Sequence, residues 1–320
     1  MDRWGKRPSD RTLGELMRCC VINLDKPRGP TSHQATAWVK AALNVPKIGH
    51  GGTLDPNVSG VLPLCVGKAA KLTDLVLSSD KEYVCAMTFH GDVAEGDVAD
   101  VMARFTGKIY QMPPVRSSVR RQLRIRTVHG LELLELSGRD ALFRVHCDAG
   151  TYVRTLCTDM GEALGVGAHM SQLRRTKSGT MREGDAVTLQ DLADAYVFWQ
   201  EKGRGDWLRS IAHPVEALVE PLPKIVVKAT AVDAVCRGAD LGVRGIHMMD
   251  PGIRRNALAA AMTARGELIA VGKMLMSSDK AMASDHGIAF RTERVMMDPG
   301  HYPSMWKYST DLGDMRVPRD

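Results

Sequence analysis

The sequence predicts an α+β protein with two domains, and three observations support this prediction. Strand-like and helical patterns are mixed along the chain without the regular β-α-β alternation of a parallel-sheet protein. The length of 320 residues exceeds that of one small domain. Apolar residues make up 44% of the chain and charged residues 25%, which is a composition that can build a sizeable core.

The N-terminal part of the chain predicts an arm, a strand and a helix. Residues 1–18 are polar without clear periodicity, and we interpret them as an arm. A β-rich run, CCVINL (19–24), follows them. Thr31 and Gln34 have the spacing of a capping box, so we expect a helix to begin there and to end before Pro46. Its predicted apolar face consists of Ala35, Trp38, Val39 and Ala42.

The next 120 or so residues predict further strands and two helices. A loop at 47–60 is indicated by four glycines and a proline. The predicted strands after it are VLPLCV (61–66), EYVCAMTF (82–89), GLELLEL (130–136) and ALFRVHC (141–147). The predicted helices are KAAKLTDLVL (68–77) and TYVRTLCTDMGEALG (151–165), the second with an apolar stripe.

A change in composition at 203–223 predicts a linker or domain edge, because glycines and three prolines separate periodic segments there. Residues 224–300 contain short β-like runs broken by glycines, which indicates a small β-rich module. The predicted organisation is an arm (1–18), a larger domain (19–222), a β-rich domain (223–305) and a tail (306–320). The methionines of the C-terminal module are interpreted as core residues: Met248, Met249, Met262, Met274 and Met276.

Composition excludes several classes of protein. No apolar run is long enough to span a bilayer, and the first residues lack the apolar stretch of a signal peptide. Seven cysteines without a CxxC pair are typical of reduced thiols in the cytoplasm and argue against disulfides or a zinc site. The ten histidines show no ligand spacing, so no metal is expected. The net charge of +6 allows a nucleic-acid partner without requiring one.

The glycine-rich loop contains the first candidate for chemistry. A nucleotide-binding loop is excluded because six residues separate Gly60 from Gly67, where that motif has four, and Ala69 replaces the metal-binding hydroxyl. Asp55 remains, on a loop constrained by Pro56. Its carboxylate can serve as a nucleophile or base, or it can simply stabilise an Asx turn.

Arginines form the second group of candidates. Arg154 lies off the apolar stripe in the first turn of its helix, where it can pair bidentately with a carboxylate or remain a solvated surface residue. The segment VRSSVRRQLRIR (115–126) has five arginines and no acid, as expected of a solvated hairpin or of a phosphate-contacting loop. LRRTK (173–177) is a second basic cluster.

These motifs together resemble the TruB-type pseudouridine synthases. Within that family, the chain is most similar to the archaeal dyskerin-like catalytic subunits of H/ACA guide-RNA particles. The similarity extends from about residue 15 to 305 and includes a C-terminal half that resembles a PUA domain. Its most specific signal is GHGGTLDP followed about 95 residues later by GTYVR. The other matching segments are DKPRGPTSH (25–33), KEY (81–83) and GTYVRTLCTDMGEALGVGAHMSQLRRTKSG (150–179).

The resemblance implies roles for individual residues. Asp55 is the expected catalytic aspartate, Arg154 its partner, and Tyr83 the platform on which the flipped uracil stacks. His50 is expected to help hold the extruded nucleotide, and Leu173 to line the pocket. The remaining expected substrate-binding residues are Lys26, which with Pro27 supports the loop, and Arg116, Arg120, Arg121 and Arg124 of the substrate-RNA loop known as the thumb. Two departures from the family pattern remove one possible phosphate contact and leave the chemistry intact: Asn57 and Ser59.

The resemblance also implies a fold, an activity and partners. The family fold is a mixed, mainly antiparallel sheet flanked by helices, with a small β-rich PUA domain after it. The implied activity is isomerisation of uridine in rRNA or tRNA under the direction of an H/ACA guide RNA, without a cofactor. Implied partners are the guide RNA, the target RNA and small accessory proteins, including a kink-turn-binding ribosomal-type protein. Two alternatives stay open: a stand-alone tRNA enzyme, and an RNA-binding scaffold without activity.

Overall fold

A computed structural model of the protein describes residues 4–113 and 120–304. The chain divides into two compact units, of which the larger is Val21–Ala212. The smaller unit combines the residues up to Cys20 with those from His213 onward. No helix in the described ranges has the length and apolarity that crossing a bilayer requires.

The elements follow one another in mixed order, as the sequence predicts. The helices are α1 (Leu13–Met17), α2 (Ser32–Ala42), α3 (Thr73–Ser78), α4 (Glu95–Arg104), α5 (Val153–Ala163), α6 (Leu189–Lys202), α7 (Asp206–Ile211), α8 (Ala229–Cys236) and α9 (Ser278–Met282). The strands are β1 (Cys19–Lys26), β2 (Ile48–His50), β3 (Ser59–Gly67), β4 (Lys81–Phe89), β5 (Gly107–Gln111), β6 (Arg124–Ser137), β7 (Asp140–Cys147), β8 (Ala168–Ser178), β9 (Met181–Arg182), β10 (Ala212–Pro214), β11 (Lys224–Val227), β12 (Leu241–Gly242), β13 (Ile246–Met249), β14 (Leu258–Met262), β15 (Leu268–Met274) and β16 (Ile288–Val295).

The sheet of the larger unit is mixed and mainly antiparallel. Its strands follow the order β1-β3-β8-β4-β7-β6-β5, with β2 paired to β3 and β9 paired to β8. Strand β3 runs parallel to β8, whereas β4 runs antiparallel to both β8 and β7. This order makes Gly60 and Arg175 neighbours, although more than a hundred residues separate them in the chain.

The alternation of apolar side chains along β4 determines which face of this sheet is buried. Cys85, Met87 and Phe89 are buried, and they belong to the same core cluster as residues of β7, α4 and α5. On α5 the buried residues include four of the predicted stripe, namely Val153, Leu156, Cys157 and Met160. The apolar patterns of β4 and α5 therefore predicted this core correctly.

Helix α2 confirms the predicted capping box but not the predicted apolar face. Thr31 Oγ1 accepts a hydrogen bond from the Gln34 amide at 3.1 Å, and the Gln34 side chain accepts one from the Thr31 amide at 2.8 Å. Ala35 and Val39 are buried, as expected, but Trp38 is 51% exposed. Ala42 is exposed as well, because Leu43, one residue further on, occupies the core.

Two segments predicted to be irregular contain secondary structure. The 47–60 loop begins with β2, whose Ile48 pairs with Val66 on β3. The N-terminal segment contains α1, a capped helix with Leu13, Leu16 and Met17 buried. Burial of these three side chains explains why a segment that looks polar in the sequence is folded.

The smaller unit has its own sheet, in the order β12-β16-β15-β14-β11-β13, and its own core around Ile225, Ile269 and Phe290. The N-terminal segment is joined to this unit by Arg11, which donates hydrogen bonds of 2.8 and 2.7 Å to the two carboxylate oxygens of Glu216. In the core of the smaller unit, Met274 is fully buried, as predicted. Met248 is 57% exposed because it lies on the edge strand β13.

Candidate active site

The loop at 51–58 holds an exposed carboxylate in a fixed position. Leu54 is buried, and its amide and carbonyl both bond the buried Ser32 hydroxyl, with N–O and O–O distances of 2.8 and 3.1 Å. The Asp55 carbonyl accepts a bond from the Val58 amide at 3.0 Å, which closes a turn. The Asp55 side chain is 62% exposed. The loop therefore presents its carboxylate to solvent from a rigid base.

Lys26 supports this loop from inside the protein. Its ammonium donates hydrogen bonds to the carbonyls of Pro27 and Pro30 at 2.8 Å and to that of Pro56 at 3.4 Å. Burial lowers the pKa of Lys26, the nearby Arg175 lowers it further, and Asp55 acts in the opposite direction. Lys26 is fully buried, and its contacts favour a role in supporting the loop, while its expected part in substrate binding stays a prediction.

Arg154 reaches Asp55 from the first turn of α5. Its Nη2 donates a hydrogen bond of 3.0 Å to Asp55 Oδ2. Within the described residues this contact joins one pair of atoms, so it is not the bidentate arrangement that the sequence allowed. The start of α5 is held by the buried Gln111, whose amide group bonds both the Tyr152 amide at 2.9 Å and the Tyr152 carbonyl at 3.1 Å.

Tyr83 lies on β4, opposite Arg175 on β8. Burial raises the pKa of the half-buried Tyr83 phenol, although a hydrogen bond and the charge of Arg175 act against this rise. Arg175 is 1% exposed and donates hydrogen bonds to the carbonyl of Val61 at 2.7 Å and of Gly52 at 3.1 Å. Burial lowers the pKa of this guanidinium, and Tyr83 partly offsets the effect. Arg175 therefore connects the tyrosine to the loop that carries the carboxylate.

Gly60 makes this arrangement possible. Its φ angle of +103° is in the region that favours glycine, and an added Cβ would lie 2.2 Å from the Arg175 carbonyl oxygen. Only a residue without a side chain allows β3 to approach β8 this closely. The approach places the Asp55 loop beside Arg175.

His50 and Leu173 lie on strands of the same sheet. His50, on β2, contacts His33 edge-on with ring centroids 4.9 Å apart. Burial, His33 and Arg175 all lower the pKa of His50, which favours the neutral imidazole. Leu173, on β8, pairs with Cys85 and is partly buried against the core. Its partly exposed side chain can provide an apolar wall.

The two basic segments, 115–126 and LRRTK (173–177), differ in the exposure and the hydrogen bonding of their described arginines. Arg120 and Arg121 are exposed, and Arg124 begins β6 with its Nη2 3.4 Å from the Arg120 carbonyl. Arg116 lies outside the described residues. In LRRTK, Arg175 is buried and Arg174 bonds both oxygens of Asp25, at 3.0 and 2.9 Å. Arg174 and Arg175 therefore stabilise the fold, whereas Arg120 and Arg121 of the arginine-rich segment are exposed.

Four buried residues that hold the site together have no individual role predicted from the sequence. They are Ser32, Lys81, Gln111 and Arg175. Lys81 is buried, donates hydrogen bonds to the carbonyls of Val76 and Ser79, and has its pKa lowered to about 8, first by burial and then by Arg175. Serine, lysine, glutamine and arginine side chains are usually exposed. No periodic pattern in the sequence therefore distinguishes these four residues before the fold is known.

Comparison with known families assigns almost the whole chain. The N-terminal domain of TruB family pseudouridylate synthases matches residues 40–153, and the C-terminal domain of tRNA pseudouridylate synthase B matches residues 154–220. A PUA domain matches residues 223–296, and a DKCLD (NUC011) domain matches residues 2–36.

Similar proteins and structures cover the same length. The probable tRNA pseudouridine synthase B of Methanocaldococcus jannaschii is 51% identical over 304 residues, which cover 95% of this chain and 90% of that protein. The solved structure of a Cbf5–Nop10–Gar1 complex matches with a TM-score of 0.91 and 49% identity, over 95% of this chain and 93% of that one. An H/ACA RNP bound to a substrate RNA containing 2′-deoxyuridine matches with a TM-score of 0.90 and 47% identity, over 96% and 94%.

These similarities define the chain as a pseudouridine synthase, an isomerase that converts uridine to pseudouridine. Within that class it belongs to the TruB family and carries a C-terminal PUA domain. The predicted fold is confirmed for both parts of the chain. The larger part has a mixed, mainly antiparallel sheet with helices, and the PUA part has a separate small β-rich sheet.

Proposed function

We propose that this protein isomerises uridines in rRNA or tRNA under the direction of an H/ACA guide RNA. The observation that carries this proposal is the match over 95–96% of the chain, at TM-scores of 0.91 and 0.90, to a Cbf5–Nop10–Gar1 complex and to an H/ACA RNP with substrate RNA. By the same similarity, its partners are the guide RNA, the target RNA and small accessory proteins. A kink-turn-binding ribosomal-type protein is proposed among them on the family resemblance alone.

Within the site, Asp55 is the proposed catalytic residue. The reaction breaks the C–N glycosidic bond, turns the uracil and forms a C–C bond to the same sugar, so no atom enters or leaves overall. A carboxylate that acts as nucleophile or base has to be held in a fixed position relative to the nucleotide. Arg154, at 3.0 Å, is therefore the proposed positioning residue for Asp55.

The other site residues have proposed roles in holding the flipped base. Tyr83 offers an aromatic face for stacking, and Leu173 an apolar wall. His50, with its lowered pKa, offers a neutral imidazole to the nucleotide. Arg120, Arg121 and Arg124, together with Arg116 outside the described residues, are the proposed phosphate contacts.

Substitution of Asp55 tests the catalytic assignment. We expect Asp55→Asn to abolish pseudouridine formation and to leave RNA affinity near that of the wild type. The protein should still fold, because Asp55 and Arg154 are 62% and 57% exposed and such pairs contribute only about 0–1 kcal/mol to stability. Pseudouridine is measured by mass spectrometry of the digested RNA.

Asp92→Asn is the matched control, because Asp92 also pairs with an arginine, Arg139, on the exposed surface, with an N–O distance of 2.8 Å. It should retain full activity. Turnover by Asp55→Asn at the wild-type rate would remove Asp55 as the catalytic residue.

A stand-alone tRNA enzyme is the second candidate, because the similar proteins of Methanocaldococcus jannaschii and Archaeoglobus fulgidus are described as probable tRNA pseudouridine synthase B. The purified protein should be assayed on rRNA fragments and on tRNA, with and without an added H/ACA guide RNA. We expect product on the rRNA fragment only when a matching guide is present. Efficient modification of tRNA without any guide would favour the second candidate.

A further inference from the structure

Four potential metal ligands meet at one end of the large sheet. Asp80 directly precedes β4, His129 is on β6, His146 is on β7, and Asp148 directly follows β7. Their ligand atoms come together because these three strands are neighbours in the sheet. The sequence does not show this cluster, since its members are separated by up to 68 positions and match no ligand spacing.

The cluster lies on the face of the sheet opposite Tyr83. Tyr83 pairs with Val145, whereas Glu82 pairs with His146, and successive side chains of a strand point to opposite faces. A bulge on β6 adds His129 to the cluster. On this strand, Val128 pairs with Cys147 and Gly130 pairs with His146. His129 is the extra residue between these two pairs. The cluster is therefore separate from the candidate active site.

The ligand atoms lie close enough for one ion to contact several of them, and the shortest distance, between His129 Nε2 and Asp148 Oδ1, is a hydrogen bond that the ion would replace. His129 Nε2 lies 2.9 Å from Asp148 Oδ1 and 3.9 Å from Asp80 Oδ1, and His146 Nε2 lies 3.6 Å from Asp80 Oδ2. The ligand atoms of Asp80, His129 and Asp148 all lie within 4.8 Å of one another. Tetrahedral zinc with bonds of about 2.0–2.1 Å separates its ligands by about 3.3 Å, which is close to the middle of this range.

Two further contacts favour a cation at this point. The second oxygen of Asp148 accepts a hydrogen bond from the Thr127 amide at 2.7 Å, which orients the carboxylate as an outer-shell partner orients a metal ligand. His146 Nε2 is shielded from solvent, yet it has no hydrogen-bond partner in the described part of the chain. A buried ring nitrogen without a partner is unfavourable unless something binds it.

We propose that Asp80, His129, His146 and Asp148 bind one divalent zinc-type ion. Two imidazoles and two carboxylates neutralise a divalent charge and match the ligand preference of Zn²⁺, whereas Mg²⁺ and Ca²⁺ prefer sites made of oxygen alone. The ion ties the segment before β4 to β6 and β7 and has a structural role, since it lies on the face away from Tyr83.

Zinc titration of the full-length protein tests this proposal. After treatment with a chelator and desalting under reducing conditions, Zn²⁺ affinity is measured by competition with a chromophoric chelator, and Co²⁺ replaces Zn²⁺ for absorption spectroscopy. We expect tight binding of one ion, a tetrahedral Co²⁺ spectrum and a Zn²⁺-dependent rise in melting temperature. Mg²⁺ should produce no such rise.

The variants His129→Ala and Asp148→Asn should each weaken Zn²⁺ binding by about tenfold or more, since each removes one ligand. His90→Ala is the control, because His90 also neighbours a histidine on the surface of this sheet, with a 3.0 Å contact to His169. Both cluster positions are at least one-third exposed, so the variants should fold. Equal Zn²⁺ affinity in the wild type and both cluster variants, or an equal loss in His90→Ala, would overturn the proposal.

Discussion

Single buried polar residues determine the geometry of the Asp55 loop. Ser32, Lys26 and Arg175 each use their side chains to bond main-chain groups of the 51–61 region or of the turn beside it. Buried groups of this kind are costly when they lose their partners, so each one constrains the loop strongly. The exposed carboxylate depends on these residues for its position, although none of them touches it.

Removal of the Ser32 hydroxyl tests this dependence. We expect Ser32→Ala to lower the free energy of unfolding by about 1–3 kcal/mol, because both the amide and the carbonyl of Leu54 lose a buried partner. The change is measured by urea unfolding. Ser210→Ala, which removes an exposed hydroxyl bonded to the Trp207 carbonyl, should change stability by less than about 0.5 kcal/mol. Similar losses in both variants would contradict the argument.

At the scale of elements, the parallel pairing of β3 with β8 brings distant motifs together. The strand that follows the Asp55 loop lies beside the strand that carries Leu173 and Arg175, and β4 with Tyr83 lies on the other side of β8. Helix α5 then brings Arg154 to the loop. The candidate active site thus depends on the order of the strands, and Arg124 and Arg126 of the arginine-rich segment lie on β6, next to the edge strand β5 of the same sheet.

Charge reversal in that segment tests its proposed role. Arg120→Glu combined with Arg121→Glu should weaken substrate-RNA binding by about tenfold or more and reduce its salt dependence, since phosphate contacts release counterions. Guide-RNA affinity should change less. Both affinities are measured by filter binding across a salt series.

The control for this double variant is Arg104→Glu combined with Lys202→Glu, which reverses two exposed charges elsewhere in the larger unit. The control should affect the two RNAs only slightly and to the same extent. An equal loss for substrate and guide RNA in the Arg120/Arg121 variant would show that this segment is not the substrate-RNA loop.

At the scale of the whole molecule, folding buries titratable groups on strands of the large sheet. Burial raises the pKa of Cys65 to about 11 and that of Cys147 to about 12, from an ordinary value of 9.0. A thiol with a raised pKa in the folded state contributes stability below pH 9 and loses that contribution as the pH rises toward its folded value. These two thiols therefore each lower the stability of the protein in alkaline solution, whereas Lys81, whose pKa is lowered to about 8, acts in the opposite direction.

Cys147→Ser tests this prediction, because serine keeps a hydroxyl near Thr151 and does not titrate in this range. Between about pH 8 and about pH 10.5, the wild type should lose about 2 kcal/mol more stability than the variant, which is 1.36 kcal/mol for each pH unit above the unfolded pKa. Urea unfolding under reducing conditions at both pH values measures the difference. Identical pH slopes would mean that Cys147 ionises without unfolding.

The domain boundary predicted at 222–223 stays a proposal at this scale. The division into compact units lies at Ala212 and His213, and the PUA match begins at residue 223. The N-terminal segment, predicted as an arm, is folded with the smaller unit through Arg11 and Glu216. That association could not be predicted, because the two residues are 205 positions apart.

The sequence by itself determined the α+β class, the strands β4 and β7, the helix α5 and the family, because periodicity and contiguous motifs are local properties of a chain. It also identified Asp55, Arg154 and Tyr83 as candidates through the family motifs. The tertiary structure decided that Lys26 and Arg175 are buried, that Trp38 is exposed, and that two aspartates and two histidines form a cluster. These outcomes depend on which strands become neighbours in the sheet. A charged residue can be buried only where the completed sheet supplies hydrogen-bond partners for its side chain.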